Sequence, residues 1–81
     1  MHPDLIKNEL LKYFPDAQIK LADLTGGGNH WRLEITSRAF AGKSLIEQHQ
    51  LVYRALGQWI NKEIHALALT THADNSMLEN T

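Results

Sequence analysis

Histidine is the side chain through which this 81-residue sequence could bind a metal. The chain contains no cysteine, which excludes disulfides, thiolate metal ligands and cysteine nucleophiles. It contains five histidines, and neutral imidazole is a common metal ligand in proteins. The candidate ligands are therefore His2, His30, His49, His65 and His72.

The first half of the chain is predicted to form one helix and two strands. Apolar residues at helical spacing predict a helix over residues 3–14. Alternating apolar and polar residues predict strands over 17–24 and 30–37, joined as an antiparallel hairpin by a flexible loop of three glycines. The apolar positions of the second strand that should face the core are Trp31, Leu33 and Ile35.

A second helix and a third strand are predicted in the rest of the chain. Ser44 and Glu47 form a capping box, and the helix that it opens should extend to about residue 62. Residues 64–71 follow as a strand with few polar side chains. The apolar stripe of the helix is predicted to consist of Leu45, His49, Val52, Leu56 and Trp59, widened by Ile46, Tyr53 and Ile60.

This order of elements predicts an α+β fold, a sandwich of two layers. The second strand, the long helix and the third strand form a βαβ unit, in which the two strands are normally parallel and the crossover is right-handed. We therefore expect a three-stranded mixed sheet with the helices on one face. A single domain should cover residues 1–72, followed by a flexible tail over 73–81.

Composition narrows the possible functions. The formal net charge of −1 argues against a protein whose main task is to grip nucleic-acid backbone. No run approaches the ~20 apolar residues of a membrane span, and the first residues do not resemble a signal peptide, so we expect a cytoplasmic protein that binds no membrane. No triad, nucleotide loop or paired-carboxylate motif is present, so we expect that the protein is not an enzyme.

The predicted topology brings two histidines together. His30 begins the second strand and His65 lies at the start of the third. Parallel neighbouring strands lie about 4.8 Å apart and begin at the same end of the sheet. The two imidazoles should therefore converge beside the glycine loop.

Each histidine also has a structural interpretation. His30 could be an ordinary exposed residue of the hairpin, and His65 a structural residue at the entrance of a strand. His49 lies in the apolar stripe and is predicted to be a hydrogen-bonded structural histidine, because buried polar groups are normally satisfied. His2 and His72 lie in predicted loose ends.

Two imidazoles provide half of a four-coordinate site. Without cysteine, the chain cannot hold an iron–sulfur cluster alone. Two histidines can, however, replace two thiolates on one iron of a [2Fe–2S] cluster when the other ligands come from elsewhere. The pattern therefore predicts a shared site that a partner completes.

Residues 38–71 also resemble the BolA family in a spaced combination of motifs. The matching residues are Phe40 and Gly42, then His49, then Val52, Tyr53 and Leu56, and finally the run Ile64-His65-Ala66-Leu67. The resemblance covers about residues 4–71. It implies a single BolA-like domain with a compact α+β fold similar to class II KH domains.

The resemblance implies a monothiol glutaredoxin as the partner and a shared [2Fe–2S] cluster as the cofactor. Glutaredoxin supplies a cysteine, glutathione supplies a thiolate, and the BolA-like chain supplies the histidine that corresponds to His65. A second ligand comes from the loop between the first two strands, where His30 is the candidate. Many relatives carry that ligand a few residues earlier, at positions matched here by residues 26–28, which are glycines. Either His30 closes the site, or His65 acts without it; alone, the protein should be a cluster-free monomer or weak homodimer.

The alternative function is that of a nucleic-acid-binding transcriptional regulator of stress responses and cell morphology. KH domains clamp nucleic-acid backbone with a Gly-x-x-Gly loop, whereas Gly42 stands alone in this sequence. On this alternative, DNA is the partner. Arg38, Lys43 and Arg54 would form a modest basic patch near the long helix.

Overall fold

The computed structural model describes residues 1–74, which form two helices and one three-stranded sheet. The predicted α+β class and the predicted order of elements are confirmed. In chain order the elements are α1 (Pro3–Tyr13), β1 (Gln18–Asp23), β2 (His30–Ser37), α2 (Leu45–Ala55) and β3 (Ala66–Ala73), with a short 3-10 helix at Arg38–Phe40.

The sheet has the strand order β1-β2-β3, with β2 in the centre. β1 pairs with β2 in the antiparallel sense, and Lys20 lies opposite Glu34. β2 pairs with β3 in the parallel sense, and His30 lies opposite Ala66. The predicted mixed sheet is therefore confirmed, and so is the prediction that β2 and β3 begin at the same end.

The core lies between one face of the sheet and the two helices. Alternation in β2 turns Trp31, Leu33 and Ile35 towards the helices, and all three are at most 1% exposed. From the helices, apolar side chains at helical spacing complete the core. These are Ile6 and Leu10 from α1, with Phe14 just after it, and Val52 and Ala55 from α2, with Leu56 just after it.

Local capping fixes where α1 begins. Pro3 occupies the first turn, where a missing N–H costs nothing. The backbone N–H of Asp4 donates to Nδ1 of His2 over 3.1 Å, so His2 caps the helix. His2, predicted to lie in a loose end, therefore has a structural role.

The predicted length of α2 is wrong at its C-terminal end. The helix ends at Ala55 and not near residue 62. A tight turn follows, in which Asn61 adopts a φ of 64°, its N–H donates to the carbonyl of Ile64, and the N–H of Ile64 donates to the carbonyl of Trp59. The chain reverses here because an asparagine tolerates the left-handed region better than most residues.

The predicted apolar stripe of α2 is also wrong in its first turn. The capping box of Ser44 and Glu47 is confirmed, with both reciprocal hydrogen bonds formed. Leu45 and Ile46, however, are 61% and 71% exposed, and Tyr53 is 40% exposed. The buried stripe begins only later in the helix, because the first turn extends beyond the edge of the core.

The third strand lies two residues later than predicted. Ile64 belongs to the turn before β3 and is 1% exposed. β3 continues through Ala73, and the N–H of Asp74 donates to the carbonyl of Ser37 over 3.1 Å. From residue 75 onward, the predicted flexible tail lies outside the described residues. Neither of the helices within residues 1–74 has the length and apolarity needed to cross a membrane.

Asp16 joins the turn after α1 to the end of β2. Its Oδ1 accepts a hydrogen bond from the hydroxyl of Ser37 over 2.8 Å, and its Oδ2 accepts one from the backbone N–H of Arg38 over 2.8 Å. Nε of Arg38 lies 3.6 Å from the same Oδ2. These hydrogen bonds, mainly the one from the Arg38 N–H, hold the pKa of Asp16 below its usual value. We call this group the Asp16 clamp.

Candidate ligand site at the sheet edge

His65 is held at the entrance of β3 by its backbone. The residue before it, Ile64, is anchored in the core. The N–H groups of His65 and Ala66 both donate to the carbonyl of Asn29, over 2.8 and 3.3 Å. Because Asn29 immediately precedes His30, one carbonyl oxygen fixes the backbones of both candidate ligands relative to each other.

The glycine loop between β1 and β2 has a defined hydrogen-bond network. The carboxylate of Asp23 accepts N–H groups from Gly26 over 3.0 Å and Gly28 over 2.9 Å, with a longer contact from Thr25. At the end of the loop, the indole N–H of Trp31 donates to the carbonyl of Gly28 over 3.1 Å. The loop that was expected to be flexible thus presents His30 from a braced backbone.

His30 and His65 form a pair at this end of the sheet. Their ring centroids are 6.3 Å apart and the rings are tilted by 54°. His65 is exposed and His30 is partly exposed. Within the described part of the chain neither imidazole makes a hydrogen bond, so their ring nitrogens are available to a ligand.

The separation of the two rings fits a shared ligand after a small adjustment. Two imidazoles on one tetrahedral ion, each at about 2.0 Å through nitrogen, would bring their ring centroids to about 5 Å. The observed 6.3 Å is longer by an amount that side-chain rotation can supply. Across residues 1–74, no group of three or more His, Cys, Asp or Glu side chains could hold a metal ion. A metal ion at this pair would therefore need further ligands beyond the side chains of residues 1–74.

His49 and His72 have other surroundings than the pair. His49 is partly buried in α2, and its Nε2 is fully buried without a hydrogen-bond partner among the described residues. The prediction that His49 is a hydrogen-bonded structural histidine is therefore wrong for that nitrogen. His72 lies in β3, with Nε2 at 3.9 Å from a carboxylate oxygen of Glu34.

The basic residues of the alternative function do not all meet. Arg38 lies in the Asp16 clamp, where the carboxylate offsets part of its charge. Lys43 precedes α2 and Arg54 lies in its last turn. At 1.5 Å per residue the helix alone separates Leu45 from Arg54 by about 14 Å, and Lys43 lies two residues before Leu45. Lys43 and Arg54 would therefore contact different segments of a bound nucleic-acid backbone.

Two residues that position the pair were missed from the sequence. Asp23 precedes a glycine-rich run, and aspartate commonly accepts hydrogen bonds from backbone N–H groups a few residues later, so this signal was available. Asn29 acts through its backbone carbonyl, and no side-chain pattern reports such a role.

Comparisons with known proteins agree with this fold. A family model described as "BolA-like protein" matches residues 13–76. The BolA-like protein RP812 of Rickettsia prowazekii is 45% identical over 62 residues, which cover 76% of this chain and 80% of that protein. Its NMR structure matches with a TM-score of 0.70 and 38% identity, over 91% of this chain and 96% of that one.

Two further relatives extend the comparison. BolA-like protein 3 of Saccharomyces cerevisiae is 41% identical over 68 residues, which cover 83% of this chain but 57% of that protein. The BolA domain of SufE1 from Arabidopsis thaliana matches with a TM-score of 0.81 and 26% identity, over 94% of this chain and 98% of that domain. The family model and the RP812 match each cover more than two thirds of the chain, and the chain belongs to the BolA-like protein family.

Proposed function

We propose that this protein is an adaptor that pairs with a monothiol glutaredoxin and shares a [2Fe–2S] cluster with it. Its role would lie in iron–sulfur cluster trafficking or in regulation under iron or redox stress. The observation that carries the proposal is the pair of unpartnered imidazoles of His30 and His65, fixed at one end of the sheet. Family membership supports the same conclusion.

The residues present fit one half of such a site. His65 and His30 would be the ligands on one iron, as imidazoles replace thiolates in Rieske-type clusters. The cysteine of the glutaredoxin and the thiolate of glutathione would complete the coordination, since this chain has no cysteine. When bound, the cluster would supply a redox-active iron centre that can pass to another protein.

The chain itself contributes the position of the two imidazoles. The Asn29 carbonyl fixes the two backbones, so that only side-chain rotation is needed to bring the rings onto one ion. Imidazole binds a metal only in its neutral form, so protonation of either ring competes with ligation. Both imidazoles must therefore be neutral when they bind the cluster.

The test is cluster assembly with the partner. A monothiol glutaredoxin and glutathione are mixed with the protein under reconstitution conditions, and the visible absorption and circular dichroism of the complex are recorded. His65→Ala should abolish the heterodimer spectrum, and His30→Ala should weaken or shift it. His72→Ala is the matched control, because His72 is an exposed histidine of β3 outside the pair.

Three outcomes are informative. Loss of the spectrum in His65→Ala, together with a weakened, shifted or lost spectrum in His30→Ala, supports the paired site. Loss in His65→Ala alone assigns the cluster to His65 without His30. A spectrum that is unchanged by His65→Ala refutes the proposed site.

A further inference from the structure

The solvent face of the sheet carries a guanidinium that makes no ion pair with the described residues. Arg32 lies in the middle of β2 and is exposed. Its partners in register are Ala22 on β1 and Ala68 on β3, whose methyl side chains leave the guanidinium open to approach. Among residues 1–74, the guanidinium of Arg32 takes part in no hydrogen bond or ion pair.

The nearest acid on this face is already shared. Glu34 lies two residues further along β2, and its Oε1 is 3.8 Å from Nζ of Lys20 and 3.9 Å from Nε2 of His72. The Glu34 carboxylate therefore lies within ion-pair distance of one side chain on each neighbouring strand. A shallow recess of about 200 Å³ lies beside it, lined by Lys20, Leu21, Ala22, Arg32 and Glu34. The recess beside Arg32 therefore carries two cationic side chains, Lys20 and Arg32, and one carboxylate, Glu34.

Arg32 lies close to the histidine pair. It follows His30 by two residues on the same strand, so both side chains project from the same face, about 7 Å apart along the strand. A specific protein interface buries about 800 Å² on each partner, a patch far wider than this spacing. A protein that covers the two imidazoles from the solvent face of the sheet therefore also covers Arg32.

A partner that covers the Arg32 guanidinium must offer a chemical group that can bind it. A charge that is removed from water without a counter-charge weakens binding strongly, whereas a carboxylate can accept two parallel hydrogen bonds from an arginine. We propose that Arg32 is a docking residue that binds an acidic side chain of the partner protein next to the histidine pair. The inference rests on the proposed function and adds to it the chemistry of the partner's surface.

The experiment measures affinity for a monothiol glutaredoxin in two states. Isothermal calorimetry gives the Kd of this protein for the glutaredoxin without glutathione or cluster. Dissociation of the reconstituted heterodimer gives the Kd when glutathione and the cluster are both present. Arg32→Glu should weaken binding about tenfold or more in both states, because it replaces attraction by repulsion. Arg32→Gln should weaken it less and should flatten its dependence on salt. Arg54→Glu is the matched control, an exposed arginine on the helix layer.

Each outcome decides between explanations. Equal affinity of Arg32→Glu and wild type, with unchanged circular dichroism and Tm, overturns the inference while leaving the proposed function intact. Weakening only when glutathione is present also overturns it, because the carboxylate would then belong to glutathione. Restored binding when a glutaredoxin acid is changed to lysine and paired with Arg32→Glu supports it directly. If the wild type binds no glutaredoxin in either state, the proposed function fails, and this inference fails with it.

Discussion

Replacing Asp16 by asparagine tests whether the Asp16 clamp stabilises the fold. The change keeps the size of the side chain but removes its charge and one of its two acceptor oxygens. Ser37, which donates to the carboxylate, is 0% exposed, so water does not replace the lost partner freely. Its hydroxyl also accepts the N–H of Ala39 over 3.1 Å, so the loss affects the start of the 3-10 helix as well.

The magnitude follows from the hydrogen bonds. Hydrogen bonds to a charged group contribute about 1.5–3 kcal/mol each. The Asp16 carboxylate accepts two of them, from Ser37 and from the N–H of Arg38, and an asparagine amide would keep one neutral hydrogen bond in their place. The side chain of Asp16 is 23% exposed, and the ion pair with Arg38 is largely screened by solvent. We therefore expect Asp16→Asn to lower the free energy of unfolding by about 2 kcal/mol and Tm by about 10 °C in a domain of this size.

The pH dependence has a defined sign. The pKa of Asp16 in the folded protein is lowered from its ordinary value of 3.8, chiefly by the backbone N–H of Arg38. A lowered folded pKa means that the stabilisation is fully present above the unfolded value and is lost as the pH falls through the folded value. The difference in stability between wild type and Asp16→Asn should therefore be constant at neutral pH and should narrow below pH 3.8.

Urea denaturation at neutral pH and at about pH 3, followed by circular dichroism, measures this difference. Glu63→Gln is the control, since Glu63 is exposed and its side chain makes no hydrogen bond or ion pair among the described residues. A loss of under about 0.5 kcal/mol in Asp16→Asn at neutral pH would show that the clamp does not stabilise the fold. An equal loss at both pH values would show that the charge is not responsible.

Three further changes test other local features by the same unfolding assay. Gly28→Ala should lower the free energy of unfolding more than Gly42→Ala, although both glycines have φ near 75°. A Cβ at Gly28 would lie 2.7 Å from the backbone nitrogen of Met1, whereas one at Gly42 meets nothing within 4 Å. Equal losses of stability in the two variants would contradict this reasoning. His49→Leu should raise stability by about 1 kcal/mol, because it removes a buried nitrogen without a partner, and a loss of stability would indicate that this nitrogen is satisfied. Ser44→Ala should lower stability by about 1 kcal/mol, since it breaks the capping box of α2, and Ser44→Asp should restore most of the loss.

The sheet and the histidine pair could be predicted because topology constrains them strongly. Strict alternation in β2 identified Trp31, Leu33 and Ile35 as core residues, and the structure buries all three. The rule that βαβ strands are parallel then placed the starts of β2 and β3 side by side. The same argument predicts that His30 and His65 lie close together, and their ring centroids are 6.3 Å apart.

The end of α2 could not be predicted from periodicity. Trp59 and Ile60 continue the apolar spacing of the helix, and both pack against the core, but they do so from a turn. Periodicity reports which residues are buried and not which backbone carries them there. The position of His65 likewise depends on the carbonyl of Asn29, and a backbone acceptor leaves no trace in side-chain patterns.

The parallel pairing of β2 with β3 also has a consequence for the order of assembly. The β1–β2 hairpin closes a short loop, whereas His30 and His65 are 35 residues apart in the chain and meet only after the α2 crossover has closed. Contacts of such separation cost more loop entropy and tend to form late. A ligand that needs both imidazoles therefore recognises only chains whose crossover is complete, and its binding adds a thermodynamic bias against reopening that crossover.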